Sequence, residues 1–134
     1  MDVKLQQALF DRYPEIFSER IQSMTETAMC WGIDTGDGWY DLIDVLCATL
    51  QDETRQSGSP QVVATQVKEK HGGLRFYVRA ADDRQYTAIE FAEAMSLRIC
   101  ETCGAPGKVD HDGWSMTRCL RHARHGQETI DTAA

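Results

Sequence analysis

Nowhere in this chain does an apolar run approach the ~20 residues that a membrane-spanning helix needs. The first twenty residues lack the charged, apolar and small-residue succession of a secretory signal, so the protein is expected to be soluble and cytoplasmic. Four of the five cysteines are not needed as a disulfide framework, and the five fit a reducing compartment. Absent too are G-x-S-x-G, Walker A, a dinucleotide fingerprint and H-E-x-x-H, which leaves the common nucleophile, nucleotide and metalloprotease chemistries without a motif. Gly72-Gly73 alone does not make a phosphate cradle. There is no internal repeat, no low-complexity segment and no true domain boundary. At 134 residues the chain reads as one domain, able to bury roughly two-thirds of its unfolded surface.

Positive charge is scarce over most of the length. The net charge is −7, and residues 1–97 carry nine Lys/Arg against sixteen Asp/Glu, whereas residues 98–134 carry five of each. Such an acidic body repels a phosphate backbone, which disfavours nonspecific nucleic-acid binding by the whole molecule. The C-terminal part holds a local basic cluster, Arg118, Arg121 and Arg124 with His125.

What is present is concentrated in residues 99–125. Cys100 and Cys103 form a C-x2-C pair and Cys119 and His122 a C-x2-H pair, with fifteen residues between the pairs. Three thiolates and an imidazole are a tetrahedral, soft donor set of the kind that selects zinc. With all four positions supplied by protein, the expected site is a structural zinc. Gly104, Pro106 and Gly107 allow the tight turn of a knuckle after the first pair. Residues 108–116 suit a short hairpin turning near Asp112-Gly113. Thr117 is expected to cap a helix whose first turn carries Cys119 and His122. Knuckle, hairpin and helix together describe a treble clef. His111 and His125 are the alternative fourth ligands, and spacing favours His122. The two other cysteines, Cys30 and Cys47, read as small core residues.

Taken in order, the chain predicts a helix beginning over residues 5–10, interrupted at Tyr13-Pro14. Pro14 can open a second helix up to about residue 29, with Ile16, Phe17, Ile21 and Met24 on one apolar face. Residues 31–38 read as a loop. Asp37 is the expected N-cap of the clearest helix, residues 38–53, in which Trp39, Leu42, Ile43, Leu46, Cys47 and Leu50 form one continuous stripe. Asp41 and Asp44 in its first turns complement the helix dipole. After a flexible QSGSP connection the period changes to two: Val63, Thr65 and Val67, then a turn at His71-Gly72-Gly73, then Leu74, Phe76 and Val78. The outer face of this hairpin carries Lys68, Lys70, Arg75, Tyr77 and Arg79, read as a solvated sheet face. Residues 85–98 return to helical period through Ala88, Phe91, Ala92 and Met95 and run directly into Cys100. The tail from about residue 128 should fray. The fold class is therefore α+β: a small helical body with a β-hairpin over residues 1–98, and a treble-clef-like zinc subdomain over residues 99–127 that continues from it.

Several phrases in this order, YPEIF, GDGWYDLID, QVKEKHGGLRFYV, AMSLRICETCGAPG, GW and TRCLRH, resemble a group of small, mostly uncharacterised proteins encoded by bacteriophages and prophages. The resemblance covers most of residues 11–125. It implies a phage accessory protein acting in the bacterial cytoplasm, and such proteins often bind and inhibit host components, defence systems included. It brings no catalytic residues with it.

Three functions follow in order of preference. The first is a non-enzymatic module that binds a bacterial host protein, such as an inhibitor of a CRISPR effector, whose basic channel an acidic body could meet. The second is a nucleic-acid-binding regulator using Arg118, Arg121 and Arg124. The third is an HNH-type nuclease in which His111, between Asp110 and Asp112, would bind a divalent metal. Those three residues fall where a hairpin turn is expected, and a solvated turn explains them more simply.

Overall fold

The computed structural model describes residues 1–124. Helix α1 (Val3–Arg12) starts where the Asp2 side chain accepts the Lys4 N–H at 2.8 Å. The expected second helix does not form. Residues 14–31 run as turns and two 3-10 segments, Ser18–Ile21 and Ala28–Trp31. Ile16 and Phe17 are buried as their hydrophobicity demands, but Ile21 is 83% and Met24 67% exposed. Two competitors for the backbone explain the difference. The Thr27 side chain bonds locally, accepting the Met29 N–H at 3.2 Å. The Ile16 carbonyl, meanwhile, accepts the Ala64 N–H from the sheet at 2.8 Å.

The stretch read as a loop contains strand β1 (Ile33–Asp34), which pairs in parallel with β2 (Val63–Lys70). Strand β3 (Gly73–Arg79) completes a three-stranded sheet of order β1-β2-β3, one strand more than the sequence suggested. A register shift between Ala64 and Gln66 moves the inward side of β2. Ala64 faces the core in place of Val63 and Thr65, while Val67 on β2 and Leu74 and Phe76 on β3 are buried as expected.

Helix α2 (Tyr40–Ser57) carries the stripe expected of it, with Ile43, Leu46, Cys47 and Leu50 buried behind Trp39. It ends at Gly58, whose φ of +71° is a left-handed cap. Asp37 is not its cap; a short 3-10 turn, Asp37–Trp39, precedes the helix, and the Asp37 carboxylate accepts the Asp2 N–H instead. Asp44 does more than complement a dipole: it accepts the Tyr13 hydroxyl at 2.7 Å and pairs with Arg12 at 2.9 Å.

Helix α3 (Asp83–Ser96) opens with a capping box in which Asp82 and Gln85 exchange backbone and side-chain hydrogen bonds. Gln85 is fully buried, and its amide also donates to the Pro60 carbonyl at 2.8 Å, which fixes the QSGSP connection. The inward face of α3 is Gln85, Ile89, Ala92 and Ser96, and Phe91 is left outside it. The core therefore lies between α2, α3 and the inner face of the sheet. Phe10, Phe17 and Phe76 form an aromatic chain through it, with ring centroids 5.1 and 6.5 Å apart. The fold is mixed α and β, with three α-helices among the described residues and a Cys/His cluster near the C-terminus.

Candidate metal centre

Ile99 leaves the end of α3 and bridges to Pro106, and the Gly107 N–H returns to the Arg98 carbonyl at 2.9 Å. Within this loop the Cys100 N–H donates to Ala105 and the Gly104 N–H to the Cys100 carbonyl, closing a knuckle. Gly104 has φ +82°, which an L side chain would strain. Strands β4 (Lys108–Asp110) and β5 (Met116–Arg118) then form the expected hairpin, with Gly113 at φ +80° in its tip.

Thr117 is not a helix cap. It lies in β5, wholly buried, and its hydroxyl donates to the Gly72 carbonyl at 2.6 Å. Cys119 and His122 are instead carried by a 3-10 turn, Leu120–His122, for which Cys119 is the N-cap. A 3-10 turn puts residues i and i+3 in line, so it serves the C-x2-H spacing as well as an α-turn does.

The four side chains chosen from spacing converge. Their donor atoms all lie within 4.8 Å of one another. Cys103 and Cys119 sulfurs are 3.6 Å apart, His122 Nδ1 is 3.2 Å from the Cys119 sulfur, and it is 3.7 Å from the Cys100 sulfur. A tetrahedral zinc with Zn–S bonds of about 2.3 Å needs corners about 3.8 Å apart. The donor set therefore fits a metal ion, and its chemistry suits zinc. Cys100 and Cys119 are buried, His122 is half-buried and Cys103 is exposed.

The sulfurs are electrostatically unequal. Burial resists ionisation of Cys100, but the backbone N–H groups of Cys119, Cys103 and Thr102 outweigh it and bring the thiol down to about 6. For Cys103 the Ala105 N–H favours the thiolate, yet partial desolvation and the neighbouring Cys119 and Cys100 sulfurs prevail and raise its pKa. One thiolate forms readily and the next is opposed by it, a conflict that a bound cation removes.

Residues outside the four hold the centre in place, and sequence reasoning missed them. The Gly38 N–H donates to the Glu101 carbonyl at 2.7 Å, and the Trp39 indole donates to the Ile99 carbonyl at 2.9 Å. The Glu101 carboxylate accepts the Gly36 N–H at 2.8 Å and pairs with Arg118 at 3.3 Å. A Cβ on Gly38 would lie 2.1 Å from the Cys100 carbonyl oxygen, and one on Gly36 2.3 Å from that of Glu101. The G-D-G-W phrase is thus the seat of the knuckle, and Gly72 is the seat of the hairpin. Paired glycines before a helix were the available signal, since glycine marks close backbone approach as well as turns.

The remaining candidates are placed differently. His111 bonds to Ser115 at 3.0 Å in the hairpin tip and stands apart from the four. His125 and the tail from residue 128 lie outside the described residues. Arg118, Arg121 and Arg124 do not form a basic helix: Arg118 belongs to β5 and pairs with Glu101, and Arg124 pairs with Asp110 at 3.2 Å. On the hairpin face, Arg79 is held by both oxygens of Glu19. Cys47 is in the core, where burial pushes its thiol pKa up, and Cys30 is half-buried. No family model, no curated protein and no solved structure matches the chain. No described helix is long and apolar enough to cross a membrane.

Proposed function

We propose that the chain is a non-enzymatic phage accessory protein that binds a protein of the bacterial host, held in shape by a structural zinc on Cys100, Cys103, Cys119 and His122. The observation that carries this reading is the donor set itself. Four protein donors saturate a tetrahedral ion, so no position is left for a water or a substrate. An ion there acts on the fold by keeping the knuckle seated against Gly36 and Gly38 and the hairpin against Gly72.

Inhibition of a host defence system is the form of the proposal that the acidic body and the phage resemblance support together. The bacterial cytoplasm is the compartment in which such a protein and free zinc-binding thiols would coexist. The regulator reading is weakened because two of its three arginines are committed to Glu101 and Asp110. The nuclease reading is weakened because His111 is engaged by Ser115, and Asp110 by Arg124 and the Asp112 N–H.

The test is a pull-down from bacterial host lysate, with and without nuclease treatment, using protein whose zinc content is measured by native mass spectrometry. One zinc per chain and a protein partner that survives nuclease treatment are expected. Capture that disappears with nuclease would put the regulator in its place. Metal-dependent DNA cleavage by the wild type, abolished by His111→Ala, would overturn both.

A further inference from the structure

Between α2 and α3 runs an apolar groove of about 600 Å3, lined by Leu42, Val45 and Leu46 on one side and Ala88, Phe91 and Ala92 on the other. The facing lips are unusually bare: Val45 is 64% and Phe91 69% exposed. Two such side chains across one trough differ from apolar residues scattered singly over a surface. The groove offers little to a small polar ligand. The Thr49 and Thr87 hydroxyls both turn back to their own helices, donating to the Val45 and Asp83 carbonyls. Glu53 and Arg84 at one end are closed on each other at 3.4 Å. A small-molecule site needs polar groups that converge on the ligand. From Leu42 to Glu53 the trough is about 16 Å long at 1.5 Å per residue, room for three turns of a helix.

The rim specifies charge. By helical spacing Asp41 and Asp52 stand beside Val45 and Thr49 on the outer side of α2, and Asp83 and Glu90 flank Thr87 on α3; all four are exposed. Against them stand Arg55, and Arg84 already held by Glu53. A second copy of the chain would set these carboxylate rows against each other, on a molecule of net charge −7. We infer that the groove docks an amphipathic helix of another protein, one whose apolar stripe is flanked by lysine and arginine. Apolar residues at i, i+3 or i+4 and i+7 fill the trough, and the flanking cations meet the rims. This rests on the protein-binding reading above and supplies its surface.

The experiment is fluorescence anisotropy of the full chain with a labelled, stapled helical peptide of about four turns, bearing leucines on one face and lysines beside them. A twin peptide carries glutamate at every lysine position. The lysine peptide should bind, and the glutamate twin should bind at least about tenfold more weakly. Val45→Glu and Phe91→Glu should each abolish binding while the thermal midpoint is kept, because both side chains are exposed. Equal affinity for the twins, binding that survives both substitutions, or no binding of the lysine peptide overturns the inference. So does self-association in sedimentation velocity that Phe91→Glu abolishes, which would make a second copy the occupant. A host partner still captured by the Phe91→Glu protein removes the groove and leaves the protein-binding reading standing. A wild-type chain that binds the lysine peptide yet captures no host protein does the reverse.

Discussion

At the scale of single residues, the centre depends on atoms that carry no chemistry. Gly38 shows this most clearly, since the Cys100 carbonyl oxygen and the Gly104 nitrogen occupy the space a Cβ would take, at 2.1 and 2.6 Å. Both neighbours are backbone, so no side chain can swing aside. Gly38→Ala should therefore cost about 1–3 kcal/mol of stability, the range for overpacking, and weaken metal retention. Chemical denaturation, together with competition for zinc by a chromophoric chelator, would measure both; an unchanged affinity would show that the knuckle does not need this seat. Glu101 works in the same way, as a carboxylate shared between the Gly36 N–H and the Arg118 guanidinium.

At the scale of elements, the irregular segment between α1 and β1 is held by side chains where a helix would have held itself. Glu19, buried in the Ser18–Ile21 turn, forms a two-pronged pair with Arg79 of β3. The Arg79 hydrogen bond lowers the Glu19 carboxyl below its ordinary value of 4.5, against the opposing effect of burial. A folded-state value below the unfolded one means that the pair stabilises the fold above about pH 4.5 and that this stability is lost as pH falls through the lowered value. Thermal midpoints measured from pH 6 down to about pH 3 should fall, and fall less in Glu19→Gln, which has no carboxylate to protonate. Identical pH profiles for the two proteins would mean that the pair holds nothing. The solvated sheet face expected of Arg79 is in this respect a tether.

At the scale of the whole molecule, the metal centre and the body are joined through contacts distant in sequence. Gly36, Gly38 and Trp39 meet the knuckle, and the β2–β3 turn meets Thr117. Structural zinc contributes an apparent ~10–16 kcal/mol in small fingers, against ~5–15 kcal/mol for the stability of a whole domain. Removing the metal from the loaded protein, or replacing Cys100 or Cys119 with alanine, should therefore lower the midpoint of the body as well as unfold residues 99–124. Trp39 provides the readout. It is fully buried with its indole on the Ile99 carbonyl, whereas Trp31 and Trp114 are exposed. Chelation should shift the tryptophan emission to the red, and zinc should reverse it. An emission and a midpoint indifferent to chelation would separate the metal from the fold.

Local patterns in the chain were sufficient for the metal-site side chains, the α2 stripe and both hairpins. In each of these the information is short-range: ligand spacing inside a knuckle, a 3.6-residue repeat, alternation about a glycine turn. Where the outcome turned on partners far along the chain, the sequence misled. Residues 14–29 have a helical apolar pattern, yet β2 takes the Ile16 carbonyl and Arg79 takes Glu19, so the helix loses to contacts its own residues do not encode. Thr117 has the composition of a cap, but a carbonyl 45 residues away claims its hydroxyl. The Arg118 and Arg124 charges look like a basic surface until Glu101 and Asp110 neutralise them. By itself the sequence determined which side chains could hold a metal. Only the tertiary structure decided what holds those side chains, because the glycines and carbonyls that seat them are recognised by close approach, which no local periodicity records.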